Sequence, residues 1–266
     1  MKTRWKLKPG QSIHIEDFDP ADTSDLPGGK EEAEKQREKM RVELEELQER
    51  MWAEHRRRLL IVLQGMDTSG KDGTIRMLMD AFNAASVRVA SFGKPTAPEL
   101  EHDFLWRIHP HVPGNGEIKI FNRSHYEDVL VVRVHKLVPR TIWHPRYRQI
   151  NDFEQMLAES GTTILKFFLH ISQDEQKRRL EARVADPKKR WKFQRGDIEE
   201  RKLWDEYMKA YEEALEKTTT KHAPWYVVPS DRKWYRNHVV GAVVLDTMKG
   251  LRMKYPKIDL SDVRIE

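Results

Sequence analysis

Short apolar runs alternate with longer stretches of helical periodicity from Leu59 onward, the pattern of a parallel sheet joined by crossover helices. Residues 59–64, 87–92, 117–122, 163–171 and 225–229 read as strands. Residues 71–85, 126–138, 148–160 and 234–255 read as helices, the second stopped by Pro139 and the third carrying Ile150, Phe153 and Leu157 on one face. Ahead of the strands, residues 1–29 mix Pro, Asp, Gly and Ser without period and read as an irregular arm. Residues 31–58 follow as a charged helix whose Met40, Leu44, Leu47 and Met51 stripe suits packing on the core or on another subunit. The interval before the last strand is too long for a simple crossover. There Ser172-Gln173-Asp174-Glu175 reads as a capping box opening a basic helix, Asp186-Pro187 breaks it, and Asp197 opens an amphipathic helix reaching Leu215. The pattern predicts an α/β fold: an arm and helix over 1–58, a core over 59–266, and a helical lid at about 172–217.

Composition narrows the class without changing the fold. The chain has 266 residues, 34% of them charged, with Lys+Arg 48 against Asp+Glu 43. No run approaches the roughly 18 apolar residues a membrane helix needs, and the opening residues lack a signal-peptide core, so a cytoplasmic protein without a membrane partner is expected. Zero cysteines exclude disulfides, thiolate metal sites and thiol nucleophiles. His109-Pro110-His111 lacks the spacing of a helical zinc site.

The chemistry begins at Gly65-Met66-Asp67-Thr68-Ser69-Gly70-Lys71-Asp72, between an apolar strand and a helix, which is the context of a P-loop. Its glycines let backbone N–H groups turn toward phosphate oxygens, the helix start adds favourable field, and Lys71 supplies a mobile cation. Gly73 and Thr74 continue this candidate phosphate site. Two residues depart from the usual loop: Asp72 stands where Ser or Thr normally meets magnesium, and Asp67 puts a carboxylate in the cradle. A bare carboxylate 4 Å from a phosphate charge is repelled by about 4 kcal/mol at an effective dielectric of ~20, so a cation such as Mg²⁺ belongs between them. Asp67 is also suited to accepting loop N–H groups, and Asp72 to the helix N-terminus for its dipole alone. Asn122-Arg123-Ser124-His125-Tyr126-Glu127-Asp128 ends the third strand and faces the same crevice, so Arg123 suits phosphate while Glu127 or Asp128 suits metal or acceptor. Lys94 follows the second strand as a phosphate contact or an ordinary turn residue.

The basic stretch over 177–195 holds nine Lys/Arg, among them Lys188, Lys189 and Lys192, against two acids. That excess exceeds the net charge of the whole chain, +5, and suits a substrate more anionic than one nucleotide. Arg179 and Arg183, four apart, share a helical face. Trp191 and Phe193 suit base stacking or anchoring of the lid.

Together the Gly65-x-Asp67-x-x-Gly70-Lys71-Asp72 loop, the Asn122-Arg123-Ser124-x-Tyr126 segment and Asp186-Pro187-x-x-x-Trp191-Lys192 resemble the polyphosphate kinase 2 family, over about residues 10–263. The resemblance implies a thymidylate-kinase-like three-layer α/β/α fold and Mg²⁺-dependent, reversible phosphoryl exchange between inorganic polyphosphate and a nucleotide. Mn²⁺ is a substitute metal, and guanine nucleotides stand beside AMP, ADP and ATP as candidate substrates. It implies Asp67 and Asp128 for metal and acceptor phosphate, Lys71 and Arg123 for phosphates, Arg179 and Arg183 for the transferring group, and a homo-oligomer, dimer or tetramer. Many members carry Asp where this chain has Asn122, which shifts that duty to Asp128 or Glu127 and resembles the class III subgroup acting on AMP and ADP. The main rival is an ATP-dependent nucleoside or nucleotide monophosphate kinase, which would favour Ser or Thr after Lys71 and a less cationic lid. A nucleic-acid binder is disfavoured by the acids in the groove, and a GTPase by the lack of an Asn-Lys-x-Asp segment.

Overall fold

Each of the five runs read as strands forms one: β1 (Arg58–Gln64), β2 (Val87–Ser91), β3 (Ile118–Asn122), β4 (Thr162–His170) and β5 (Trp225–Pro229). The computed structural model describes residues 4–259, 261 and 264. Residues 1–3 of the expected arm, and 260, 262, 263, 265 and 266 of the expected core span, lie outside the described residues. The strands form one parallel sheet in the order β2-β3-β1-β4-β5. Central β1 is buried from Leu59 to Gln64 because helices cover both faces, which is why its sequence is a continuous apolar run. Leu59, Ile61 and Leu63 point into one core layer, Leu60 and Val62 into the other.

The first layer is built from α1 (Gly29–Glu54), α2 (Lys71–Met79) and a C-terminal helix. α1 ends four residues before the expected 58, because His55 turns left-handed (φ 53°) and returns its N–H to Met51. α2 stops at Met79 rather than 85, since Gln48 of α1 takes the Asn83 N–H (2.9 Å) and donates to its carbonyl (3.1 Å). A short α3 (Ala97–Leu100), capped by Thr96, follows β2.

The expected helix over 126–138 is instead a 3₁₀ turn (His125–Asp128), α4 (Val131–Val134) and, after Pro139, α5 (Arg140–Trp143). Packing against Glu154 explains the break. Tyr126 and Lys166 both hydrogen-bond that buried carboxylate, at 2.8 and 2.6 Å, pinning the turn to α6 (Arg146–Glu159) and β4. A run of β-branched valines then gives the segment little helical preference of its own.

Beyond β4 come α7 (Gln173–Ala185), α8 (Gly196–Lys202) and α9 (Trp204–Thr218). The amphipathic helix expected from Asp197 to Leu215 breaks at Leu203. Its second half, α9, buries Tyr207, Ala210, Tyr211, Ala214 and Leu215 in the second core layer. At Ser172 only half of the capping box forms: the hydroxyl accepts the Glu175 N–H, while the Glu175 carboxylate turns to Arg178 and Arg179.

The C-terminal helix α10 (Lys233–Gly250) buries the α1 stripe, Met40 packing by Gly241. The Met40, Leu44, Leu47 and Met51 stripe is therefore used within the chain and leaves no face for another subunit. The N-terminal arm drapes along β5: Val227 donates to Trp5 and Leu7 to Trp225, each at 2.9 Å, covering a sheet edge otherwise open to pairing. No helix of the described residues is long and apolar enough to cross a membrane.

Candidate active site

The carboxyl ends of β1 and β3 open onto a cavity of about 770 Å³ between the 65–70 loop, α7 and α10. The loop after β1 closes on itself through positive φ angles at Gly65 (149°), Thr68 (64°) and Gly70 (109°). At Gly65 the requirement is also steric, since a Cβ there would lie 2.7 Å from the Leu169 carbonyl. Lys71 folds back over the loop and donates to the Gly65 and Met66 carbonyls at 2.6 and 3.2 Å. Burial, reinforced by the Arg123 charge, brings its ammonium down to about 8, against the pull of Asp67, Glu127 and Asp72. The buried hydroxyls of Thr68 and Ser69 in the loop and of Thr74 on α2 have no hydrogen-bond partner among the described residues, so the start of this helix presents unsatisfied polar atoms.

Arg123 reaches across from β3 and donates to the Asp67 carboxylate at 2.9 Å. Its own backbone is left-handed (φ 62°), a conformation that costs about 1 kcal/mol or more for a residue with a side chain and that gathers at functional sites. Asp72 accepts from Asn122 at 3.2 Å and lies 3.9 Å from Lys192 of the lid. Glu127 sits behind these groups: burial raises its carboxyl, and Arg123, Lys71 and Gln64 pull it down while Asp67 pushes it up.

Of the residues expected at the site, Asp67, Thr68, Gly70, Lys71, Asp72, Gly73, Arg123, Arg179, Arg183, Lys189 and Lys192 line the cavity. Gly65, Met66 and Ser69 form the loop behind its surface, and Thr74 is buried on the first turn of α2. Asp128 is turned elsewhere, its carboxylate taken by Arg146 at 2.9 Å, and burial raises it to about 6 against Arg146 and Arg107. Lys94 and Lys188 are exposed and outside the lining. Arg179 is less free than its helical position implies: buried, it donates to the carbonyls of Thr68 (2.8 Å), Ser230 (2.6 Å) and Asp231 (3.0 Å) and to Glu175 (2.7 Å). It ties the root of α7 to the phosphate loop, whereas Arg183 meets only Asp197, at 3.9 Å. Trp191 is 76% exposed at the cavity rim, and its indole N–H donates to the neighbouring Lys188 carbonyl at 3.1 Å rather than anchoring the lid to the core.

The family model for polyphosphate kinase 2 matches residues 28–256. This chain belongs to that family. It is 52% identical over 262 residues, 98% of each chain, to a Meiothermus ruber protein named AMP/ADP-polyphosphate phosphotransferase. It is 46% identical over 226 residues to an ADP-polyphosphate phosphotransferase of Rhodopseudomonas palustris, covering 80% of this chain and 78% of that one. The crystal structure of polyphosphate kinase 2 from Arthrobacter aurescens TC1 superposes with TM-score 0.93 at 44% identity, covering 97% of this chain and 92% of that one. For a polyphosphate kinase 2 fold, the cavity holds residues that sequence reading passed over. Arg236 and Lys233 enter from α10, and Arg76 and Arg178 join them. Tyr211, buried on α9, acts on Arg123 and carries a hydroxyl raised by burial and by the Glu127 charge. They lie on α2, α7, α9 and α10; Arg178 belongs to the basic stretch of the lid, and the signal of the others is membership of a helix, which does not distinguish a site residue from a packing residue.

Proposed function

We propose that this chain moves a phosphoryl group between inorganic polyphosphate and an adenine nucleotide, AMP to ADP and ADP to ATP, reversibly. The observation that carries the reading is the cavity itself. A phosphate loop with Lys71 and Arg123 at its floor is roofed by Arg183, Lys189 and Lys192, a density of cations suited to a polyanion. The names of the Meiothermus and Rhodopseudomonas relatives support the substrate pair and the use of both AMP and ADP.

In this reading the loop N–H groups and Lys71 hold the transferring phosphate, and Arg123, steered by Asp67, binds an adjacent oxygen. Arg179 positions the loop through its carbonyls, and Arg183 and Lys192 reach the phosphates as the lid tip closes and excludes water. The segment that closes is residues 183–202, with α9 remaining in the core. The donor set fits a magnesium ion, with Mn²⁺ as substitute. Asp67 lines the cavity next to the unsatisfied Thr68 hydroxyl, its charge acts on the carboxyl of Glu127 behind it, and Mg²⁺ takes one or two carboxylates with phosphate oxygens. When bound it would neutralise phosphate charge; Asp67, which lines the cavity, would share its carboxylate between the ion and Arg123, whereas Asp128, held by Arg146, lies outside the lining. Cytoplasmic location and a homo-oligomer belong to the same proposal.

The test is ATP and ADP formation by purified protein with Mg²⁺, AMP or ADP, and either polyphosphate or a nucleoside triphosphate as donor. Product with polyphosphate alone supports the reading, and ATP starting from AMP supports the two-step activity. Product with the triphosphate alone would make this an ordinary nucleotide kinase.

A further inference from the structure

Arg236 is the most buried of the cavity's cations to which the chemistry above gives no role. It crosses the start of α2 in a notch floored by glycine: a Cβ on Gly70 would sit 1.6 Å from its Nη1, and one on Gly73 2.9 Å from its Nη2. The residue is only 2% exposed. Its guanidinium donates to the Ser69 carbonyl at 3.2 Å and the Asn237 side chain at 2.8 Å. No carboxylate among the described residues pairs with it; the charge acting on it is another cation, Arg179, and burial with that repulsion brings it down to about 9. A buried guanidinium without a counter-ion is costly, so the counter-charge has to come from a ligand.

Lys233, one turn earlier on α10, belongs to the same wall, and burial with the Arg179 and Arg236 charges lowers its ammonium. Ser91, Phe92, Gly93 and Asn122, at the ends of β2 and β3, line the cavity without a charge of their own, and the carboxylate that Asn122 holds there, Asp72, makes this side less suited to phosphates than the side of Arg236 and Lys233.

We infer that Arg236 and Lys233 form a polyphosphate subsite holding donor phosphates beyond the one over the loop, so that the donor chain runs along α10 and the nucleotide enters by β2 and β3. This rests on the polyphosphate reading above. A guanidinium fork suits two oxygens of adjacent phosphates, and Gly73 matters because it leaves room for that fork rather than by touching phosphate.

The test is equilibrium binding of medium-chain polyphosphate, and separately of ADP, to the full chain and to Arg236→Gln, Arg236→Lys and Gly73→Ala, with thermal unfolding of each. Arg236→Gln is expected to weaken polyphosphate about tenfold or more, the worth of a charge-assisted contact, and to leave ADP within about twofold. Gly73→Ala, by displacing the guanidinium, is expected to follow it, and Arg236→Lys to fall between. If Arg236→Gln fails to fold, the other two variants carry the same comparison. Unchanged polyphosphate binding, or equal weakening of both ligands, would overturn the subsite alone. A wild-type protein that binds no polyphosphate would overturn the functional reading and the subsite with it.

Discussion

The phosphate loop and the lid tip are both cationic and face the same cavity, yet they are held in opposite ways. Around the loop, Lys71, Thr68 and Ser69 are buried, and Arg179 and Lys71 donate to loop carbonyls at hydrogen-bond distance. At the lid tip, Trp191 is 76% exposed, and both the contact to the rest of the site, Lys192 to Asp72, and the contact within the lid, Arg183 to Asp197, stand at 3.9 Å. Helix α7 joins the two regimes, its root fixed by Arg179 and by Asp231, which caps Ser172. A preorganised floor costs no rearrangement when charge shifts in the reaction, and a loosely held roof can close once substrate is present.

The sharpest way to break this comparison is at the floor. Asp67→Asn removes the carboxylate that orients Arg123 and suits a metal, and is expected to lower turnover about 100- to 1,000-fold with the unfolding midpoint nearly unchanged. Unaltered turnover would remove Asp67 from the chemistry.

The two arginines of α7 separate root from tip. Arg183→Ala should lower kcat about tenfold or more while leaving stability within about 0.5 kcal/mol, since its one ion contact is long and partly exposed. Arg179→Ala should also cost about 3 kcal/mol of stability in denaturant unfolding, because it strips partners from buried carbonyls. Identical behaviour of the two variants would contradict a fixed root and a free tip.

The floor should also show itself in pH. Lys71 is held at about 8 in the folded chain against its ordinary 10.5. Its charge in the free protein is lost above about 8, so kcat/KM should fall by about tenfold per pH unit there, and the kcat limb should lie higher because bound phosphate favours the ammonium. The folded state binds fewer protons than the unfolded one between about 8 and 10.5, so this group adds stability as pH rises through that window. A flat kcat/KM profile to pH 10 would contradict a buried, ligand-free ammonium. The smallest effect is expected at the seam between floor and roof, where Asp72→Asn should change turnover by no more than about fivefold, the scale of an exposed ion contact.

Features carried by local pattern were legible in the sequence, and those made by packing were not. The strands and the phosphate loop could be read because an apolar run between helices, and glycines at fixed offsets before a lysine, specify their own conformation. The 126–138 segment was misread because Glu154, distant in sequence, pins Tyr126 and ends the helical run. Arg236 and Tyr211 were invisible as site residues because only the packed sheet and helices bring Arg236 of α10 into the cavity and Tyr211 of α9 beneath Arg123. Asp128 was the expected metal residue with Glu127 as the second candidate, and packing separates them: Asp128 pairs with Arg146, while Glu127 feels the charges of Arg123, Lys71 and Asp67.

The most direct test of a fixed floor under a closing roof is amide hydrogen exchange on the full chain, alone and with Mg²⁺, polyphosphate and ADP. Slowed exchange at residues 186–197 and at the 65–71 loop, with α9 unchanged, is the predicted result. Lid amides that exchange at the same rate with and without the substrates, or protection that appears in α9 instead, would contradict it.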